Sequence, residues 1–86
     1  MILKNNSLAE VRFEQTGLGY KPFGIELGPI DFVAVAKACG AAGFHVEASS
    51  DLRPAIDAAL RSPGPAVIEV VVDPNEPPAM PDKLQA

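Results

Sequence analysis

The stretch AVIEVVV, residues 66–72, constrains the fold of this chain more than any other segment does. It is almost continuously apolar and rich in β-branched residues, a composition that favours strands. Strands that are apolar on both faces are typical of parallel sheets, whose faces are covered by helices. The run therefore predicts a buried strand in a parallel sheet and, with it, an α/β fold.

The other predicted elements alternate between strand and helix. Apolar spacing, caps and turn residues predict a short buried strand at 1–4, strands at 44–47 and 66–72, and helices at about 8–16, 32–39 and 52–60. Strands separated by helices imply right-handed crossovers and a parallel sheet. The predicted fold class is α/β, a partial doubly wound parallel sheet of about three strands with flanking helices. It occupies residues 1–73, and residues 74–86 form a proline-rich extended tail.

The helix that starts after residue 31 has the clearest local signals. Asp31 is a good N-cap residue, and Gly40 supplies a stop. Between them, four apolar or small residues follow the i, i+3, i+4, i+7 spacing of one helix face, namely Phe32, Val35, Ala36 and Cys39. This spacing predicts that Cys39 is a small core residue and not a nucleophile.

Composition and charge exclude several classes of function. The formal net charge is −4, and the seven basic residues are scattered singly, which argues against a nucleic-acid surface. The single cysteine cannot form an internal disulfide. No apolar run approaches the ~20 residues of a membrane-spanning helix, and no signal peptide is evident. We expect a cytoplasmic protein without nucleic-acid or membrane partners.

Common catalytic and binding motifs are also missing. His45 is the only histidine and has no cysteine pair beside it, so a structural role is favoured over metal binding. The glycines at 17, 19 and 24 do not have the spacing of a dinucleotide-binding loop, and there is no Walker loop. One unexplained feature is the pair Asn5 and Asn6, directly after the first strand. Asparagine favours turns, so the pair either ends the strand or holds a ligand.

Three blocks of the sequence together resemble a known family. They are ILKNNSLAEVRFEQ, ELGPIDFVAVAKACGAAGFHVE and LRPAIDAALRSPGPAVIEVVVDPNEPP. These blocks resemble the C-terminal end of thiamine-diphosphate-dependent enzymes, in the group of pyruvate oxidase, pyruvate:quinone dehydrogenase and acetolactate synthase. The resemblance covers nearly the whole chain. It implies a parent enzyme that decarboxylates a 2-oxo acid such as pyruvate.

The resemblance also implies roles for the residues around the asparagine pair. In the family, a motif that begins with Gly-Asp-Gly ends in Asn-Asn and binds the cofactor diphosphate through Mg²⁺. By this match, Asn5, Asn6, Ser7 and Leu8 are cofactor-binding residues, and the Asn6 amide and the Leu8 carbonyl are Mg²⁺ ligands. Hard oxygen ligands of this kind are those that Mg²⁺ prefers. No catalytic residue is implied.

Two departures from the family pattern shape the expectation for this chain. Ala9 stands where the family usually has glycine, and the Gly-Asp-Gly half of the motif would lie upstream of Met1. We therefore expect a C-terminal fragment that binds no cofactor alone, is inactive by itself, and has the missing N-terminal domains or a second copy as partner. With no cofactor bound, nothing would order the long loop over 16–29. The alternatives are a stand-alone interaction module that forms a homodimer, or an unrelated α/β domain.

Overall fold

A computed structural model describes residues 1–77 of the chain. Within these residues, strands and helices follow one another in the order predicted from the sequence. In chain order they are β1 (Ile2–Lys4), α1 (Ala9–Gly17), α2 (Phe32–Ala38), β2 (Ala42–Val46), the 3-10 turn Ser49–Asp51, α3 (Leu52–Arg61) and β3 (Ala66–Val71).

The strands form one parallel sheet in which β3 lies between β1 and β2. In this register, Glu69 of β3 lies beside Ile2 of β1 on one side and His45 of β2 on the other. The central position explains the apolar run of β3, because this strand has neighbours at both edges and its residues Ile68 and Glu69 are both buried. The predicted α/β class, a partial parallel sheet with flanking helices, is confirmed.

The helices α2 and α3 cover opposite faces of the sheet. Successive side chains of a strand point to alternate faces, so Gly43 and Glu69 share one face while Val46 and Ile68 share the other. Helix α2 packs on the first face so closely that a Cβ at Gly43 would lie 2.9 Å from Val33 Cγ1. Helix α3 also packs against β2 and β3, and covers the second face, where Val46 and Ile68 are buried.

Helix α2 begins as predicted, but only part of its predicted apolar face meets the sheet: Ala36 is buried, whereas Val35 is 51% exposed. Asp31 accepts a hydrogen bond from the Ala34 backbone N–H at 3.0 Å, which confirms the predicted N-cap. The prediction that Cys39 lies in the core is wrong, because its side chain is exposed. Val33 packs against the sheet beside Ala36, so the buried stripe of the helix is rotated away from Val35, and Cys39 lies at the exposed C-terminal end.

Strand β1 is an edge strand, so the prediction of a buried strand at 1–4 is wrong. It pairs only with β3 among the described strands, and Leu3 is 66% exposed. Ile2 and Lys4 point to the face that carries Glu69 and are half-buried. The apolar sequence of β1 resembled that of a central strand, but its outer edge has no neighbour in the described part of the chain.

The long loop between α1 and α2 is held in place, contrary to the expectation that nothing orders it. Its residues 25–27 run antiparallel to residues 6–8: the Leu8 N–H donates to the Ile25 carbonyl at 2.7 Å, and the Leu27 N–H to the Asn6 carbonyl at 3.0 Å. The Gln15 side chain also bonds both backbone groups of Phe23. As a result Ile25 is buried, at 4% exposure.

The segment that follows β3 turns back towards α1. The Asp73 side chain accepts from the Asn75 N–H at 2.8 Å, so residues 73–75 form a tight turn. The predicted tail 74–86 falls mostly outside the described residues, and its boundary stays a prediction. No helix within residues 1–77 is both long and apolar enough to cross a membrane.

Candidate functional site

The asparagine pair lies at the carboxyl end of β1. In open α/β sheets, ligands bind beyond the carboxyl ends of the strands. Asn5 ends the strand with a local turn, in which its Oδ1 accepts from the Ser7 N–H at 3.1 Å. Asn6 has a backbone φ of +57°, the left-handed conformation that asparagine adopts more readily than most residues. Both residues therefore serve as turn formers, whatever else they do.

The backbone of residues 6–8 is held by hydrogen bonds to the loop and to α1, and three oxygen-bearing groups of this segment keep free acceptor capacity. The Leu8 carbonyl accepts from the Arg12 N–H at 3.0 Å where α1 begins, which occupies one of its two lone pairs. The Asn6 side chain is exposed. The Ser7 hydroxyl oxygen is buried and has no hydrogen-bond partner among residues 1–77. A buried hydroxyl without a partner is costly, so its presence calls for an explanation.

Two cavities adjoin the asparagine pair. One, of about 90 Å³, lies beside the sheet and is lined by Asn5, Asn6 and a mostly apolar set that includes Leu27 and Phe32. The other, of about 480 Å³, lies at the carboxyl end of the sheet between Asn5 and the segment that follows β3. Of the four consecutive residues predicted to bind cofactor, Asn5 lines both cavities and Asn6 lines the smaller one, whereas Ser7 and Leu8 line neither.

Arg12 holds the segment after β3 that lines the larger cavity. Its guanidinium donates to the Asn75 side-chain oxygen at 3.1 Å and to the Pro74 carbonyl, and it lies 4.9 Å from the centre of the Phe13 ring. The turn after β3 is thereby attached to α1, across from Asn5. Arg12 thus joins two segments that are far apart in the chain.

Glu69 is the residue near the site that sequence reasoning missed. It is 2% exposed in the middle of β3, and its Oε1 accepts from Lys4 Nζ at 3.1 Å and from the Phe32 N–H at 3.0 Å. Its Oε2 lies 2.5 Å from His45 Nδ1, and His45 Nε2 lies 3.1 Å from Glu47 Oε1. The signal in the sequence was one acidic residue inside the apolar run AVIEVVV.

The charged groups of the cluster formed by Lys4, His45, Glu47 and Glu69 stabilise one another. Burial by itself raises the pKa of Glu69, but the Phe32 N–H, His45 and Lys4 outweigh it and lower this pKa from 4.5 to about 2. Hydrogen bonds to Glu47 and Glu69 raise the pKa of His45. His45 is thus a partner of two carboxylates, and its structural role stays a prediction.

Comparison with known proteins identifies the class to which the chain belongs. Residues 1–70 match the family described as "Thiamine pyrophosphate enzyme, C-terminal TPP binding domain". The chain therefore belongs to this family, and the resemblance inferred from the sequence is confirmed. The match includes the asparagine pair, β1, β2, all but the last residue of β3 and the helices between them.

Individual relatives are much longer than this chain. The chain is 37% identical over 84 residues to YdaP of Bacillus subtilis (strain 168), described as thiamine pyrophosphate-containing; the match covers 98% of the chain and 14% of YdaP. It is 43% identical over 61 residues to the catabolic acetolactate synthase of Raoultella terrigena, covering 71% of the chain and 11% of that protein. A third relative, IlvB2 of Mycobacterium tuberculosis (strain ATCC 25618 / H37Rv), named among acetolactate synthase large subunits, is 38% identical over 57% of the chain and 9% of its own length. No solved structure matches.

Proposed function

We propose that this chain is the C-terminal part of a cofactor-binding unit in a thiamine-diphosphate-dependent enzyme that decarboxylates a 2-oxo acid. Its relatives include acetolactate synthases, and the pyruvate oxidase type is the other candidate for the parent enzyme. The chain would contribute the asparagine end of the Mg²⁺–diphosphate site. The observation that supports this most is the position of Asn6, exposed at the carboxyl end of β1 beside the unpartnered Ser7 hydroxyl.

The groups present suit Mg²⁺ but do not complete a site. Mg²⁺ prefers six oxygen ligands in octahedral geometry, commonly one or two carboxylates with phosphate oxygens and water. Asn6 offers an amide oxygen, and Leu8 a carbonyl with a second lone pair. Within residues 1–77, no group of three or more His, Cys, Asp or Glu side chains could hold a metal. The acidic ligand would therefore come from outside the described residues, and the isolated chain would be inactive.

Each residue of the segment has a distinct part in this proposal. Asn5 makes the turn that presents Asn6, and the left-handed backbone of Asn6 directs the following residues towards α1. Ser7 carries the hydroxyl and Leu8 the carbonyl that, with the Asn6 amide oxygen, make up the oxygen groups that residues 6–8 offer in this proposal. Bound thiamine diphosphate would supply the electron sink for decarboxylation.

A chimera tests the proposal. Residues 1–70 replace the matching segment of the Raoultella terrigena enzyme, and acetolactate formation is measured with Asn6 and with Asn6→Ala. We expect the Asn6 chimera to be active and Asn6→Ala to lose activity by about a hundredfold or more, because a lost metal ligand costs at least as much as a lost supporting residue. Equal activity of the two chimeras would refute the role of Asn6. Leu60→Ala, a change at an 80% exposed apolar residue of α3 that lines neither cavity, is the control.

A second candidate function is a stand-alone interaction module that forms a homodimer. The outer edge of β1, which pairs with no other strand within residues 1–77, favours it, because Met1 and Leu3 are 64% and 66% exposed there and unpaired strand edges attract other chains. Sedimentation at rising concentration tests this candidate: a concentration-independent monomer mass would exclude it. The cytoplasmic location expected from the sequence belongs to both candidates.

A further inference from the structure

Glu69 joins three separate elements through one carboxylate. Among residues 1–77 it is the buried charged residue, and both of its oxygens are occupied. Lys4 reaches it from β1, the Phe32 N–H from the start of α2, and His45 from β2. A buried carboxylate is tolerated only when it is paired in this way, and its partners are held in fixed positions in return.

Two of these partners line the same cavity as the asparagine pair. Lys4 directly precedes Asn5; its side chain ends at Glu69, and its carbonyl accepts from the Val72 N–H at 3.0 Å. Phe32 begins α2, the helix that follows the long loop. Lys4 and Phe32 both line the cavity of about 90 Å³ to which Asn5 and Asn6 also contribute.

We propose that Glu69 is a positioning residue for the asparagine pair: by holding Lys4 and the Phe32 backbone together, it sets the width of the cavity beside Asn5 and Asn6. Glu69 does not contact either asparagine in the structure, so its effect passes through Lys4 and Phe32. The inference rests on the proposed function, because the position of the asparagine pair matters if that pair binds cofactor. The effect of Glu69 on the geometry near Asn5 and Asn6 is predicted for the chain without any ligand.

A purely structural Glu69 would behave differently from a positioning one. If Glu69 only added stability, its replacement would weaken the whole fold and leave the folded geometry near Asn6 unchanged. Ile68 is the matched control, because it is buried at 7% exposure on the same strand but points to the opposite face. Its truncation weakens the core without touching Lys4 or Phe32.

The experiment is NMR spectroscopy of the full, isotopically labelled chain without ligand. It compares the wild type with Glu69→Gln, which keeps the size of the side chain, and with Ile68→Val. The readouts are the amide resonances of Asn6 and Leu27 and the hydrogen exchange of the Leu27 N–H, which donates to the Asn6 carbonyl. We expect Glu69→Gln to shift both resonances and to accelerate this exchange by about tenfold relative to the amides between β2 and β3.

A second pair of variants keeps the test decisive if Glu69→Gln does not fold. Lys4→Gln removes one arm of the cluster, and Lys4→Arg keeps its charge. We expect Lys4→Gln to reproduce the shifts at Asn6 and Lys4→Arg to restore the wild-type spectrum. Unchanged Asn6 and Leu27 signals in folded Glu69→Gln or Lys4→Gln would overturn the inference, as would equal shifts in Ile68→Val. Because no cofactor is present, these outcomes are independent of the chimera experiment, whose failure would refute the proposed function alone.

Discussion

Replacing Glu69 with glutamine should cost a large part of the stability of this fold. Glutamine keeps an oxygen for the Phe32 N–H but loses the charge that holds Lys4 and His45. A hydrogen bond to a charged group contributes about 1.5–3 kcal/mol, and breaking a buried pair costs about 3–5 kcal/mol. His45 is 43% exposed, so its ion pair with Glu69 contributes less than a fully buried pair would. We therefore expect Glu69→Gln to lose about 2–4 kcal/mol of unfolding free energy.

That loss is measurable because small domains have little stability to spare. A chain of 86 residues is expected to have about 4–13 kcal/mol in total. Urea unfolding followed by circular dichroism at neutral pH gives the difference between variant and wild type. Glu47→Gln is the matched control, because Glu47 pairs with the same histidine from the surface and should change stability by less than about 1 kcal/mol. A loss below about 0.5 kcal/mol in Glu69→Gln, or an equal loss in both variants, would refute the reasoning.

The difference in unfolding free energy between the wild type and Glu69→Gln should depend on pH, because the pKa of Glu69 is lowered. A carboxyl group with a folded pKa of about 2 and an ordinary value of 4.5 stabilises the fold fully above 4.5. Its contribution falls as the pH drops from 4.5 towards 2, so the advantage of the wild type over Glu69→Gln should shrink in that window. The raised pKa of His45 acts in the opposite sense: its contribution is complete below 6.5 and is lost as the pH rises through the folded pKa. A constant difference from pH 6 to pH 2 would contradict the assignment.

Two further pairs of variants test the packing of α2 on the sheet and the cap at its N-terminus. Gly43→Ala should lose about 1–3 kcal/mol of unfolding free energy, because the new Cβ would lie 2.9 Å from Val33 Cγ1. Gly64→Ala, with open space around it, should stay within about 0.5 kcal/mol of the wild type. Chemical denaturation compares the two variants, and equal effects would contradict the close approach of α2 to Gly43. Asp31→Ala should lose about 1 kcal/mol through the missing bond to the Ala34 N–H, and Asp31→Asn, which keeps an acceptor, should recover most of the loss in the same assay.

The parts of the fold that sequence reasoning predicted depend on local patterns. The apolar run of β3 required cover on both faces, and the structure places this strand at the centre of a parallel sheet. Asp31 and Gly40 marked the ends of α2 because capping depends on the residues next to the helix end. The asparagine pair lies at the end of the first strand as predicted, because the preference of asparagine for turns is also a local property.

The parts that were missed depend on contacts between distant residues. Lys4 and Glu69 are 65 positions apart, and no local pattern indicates that they meet. The loop after α1 is ordered by backbone pairing with residues 6–8, which its glycines and prolines do not predict. Cys39 has the spacing of a core residue, but Gly43 on the neighbouring strand lets Val33 approach, which rotates the buried stripe of α2 away from Cys39.

The central claim is that residues 5–8 form one part of a metal–diphosphate site. Its most direct test is a calorimetric titration of thiamine diphosphate with Mg²⁺ into three samples: the isolated chain, the chimera with acetolactate synthase, and that chimera with Asn6→Ala. The account predicts no saturable heat from the isolated chain, saturable binding by the chimera, and an affinity at least about tenfold weaker with Asn6→Ala. Equal affinities for the two chimeras would contradict the role of Asn6, and saturable binding by the isolated chain would show that it builds a complete site.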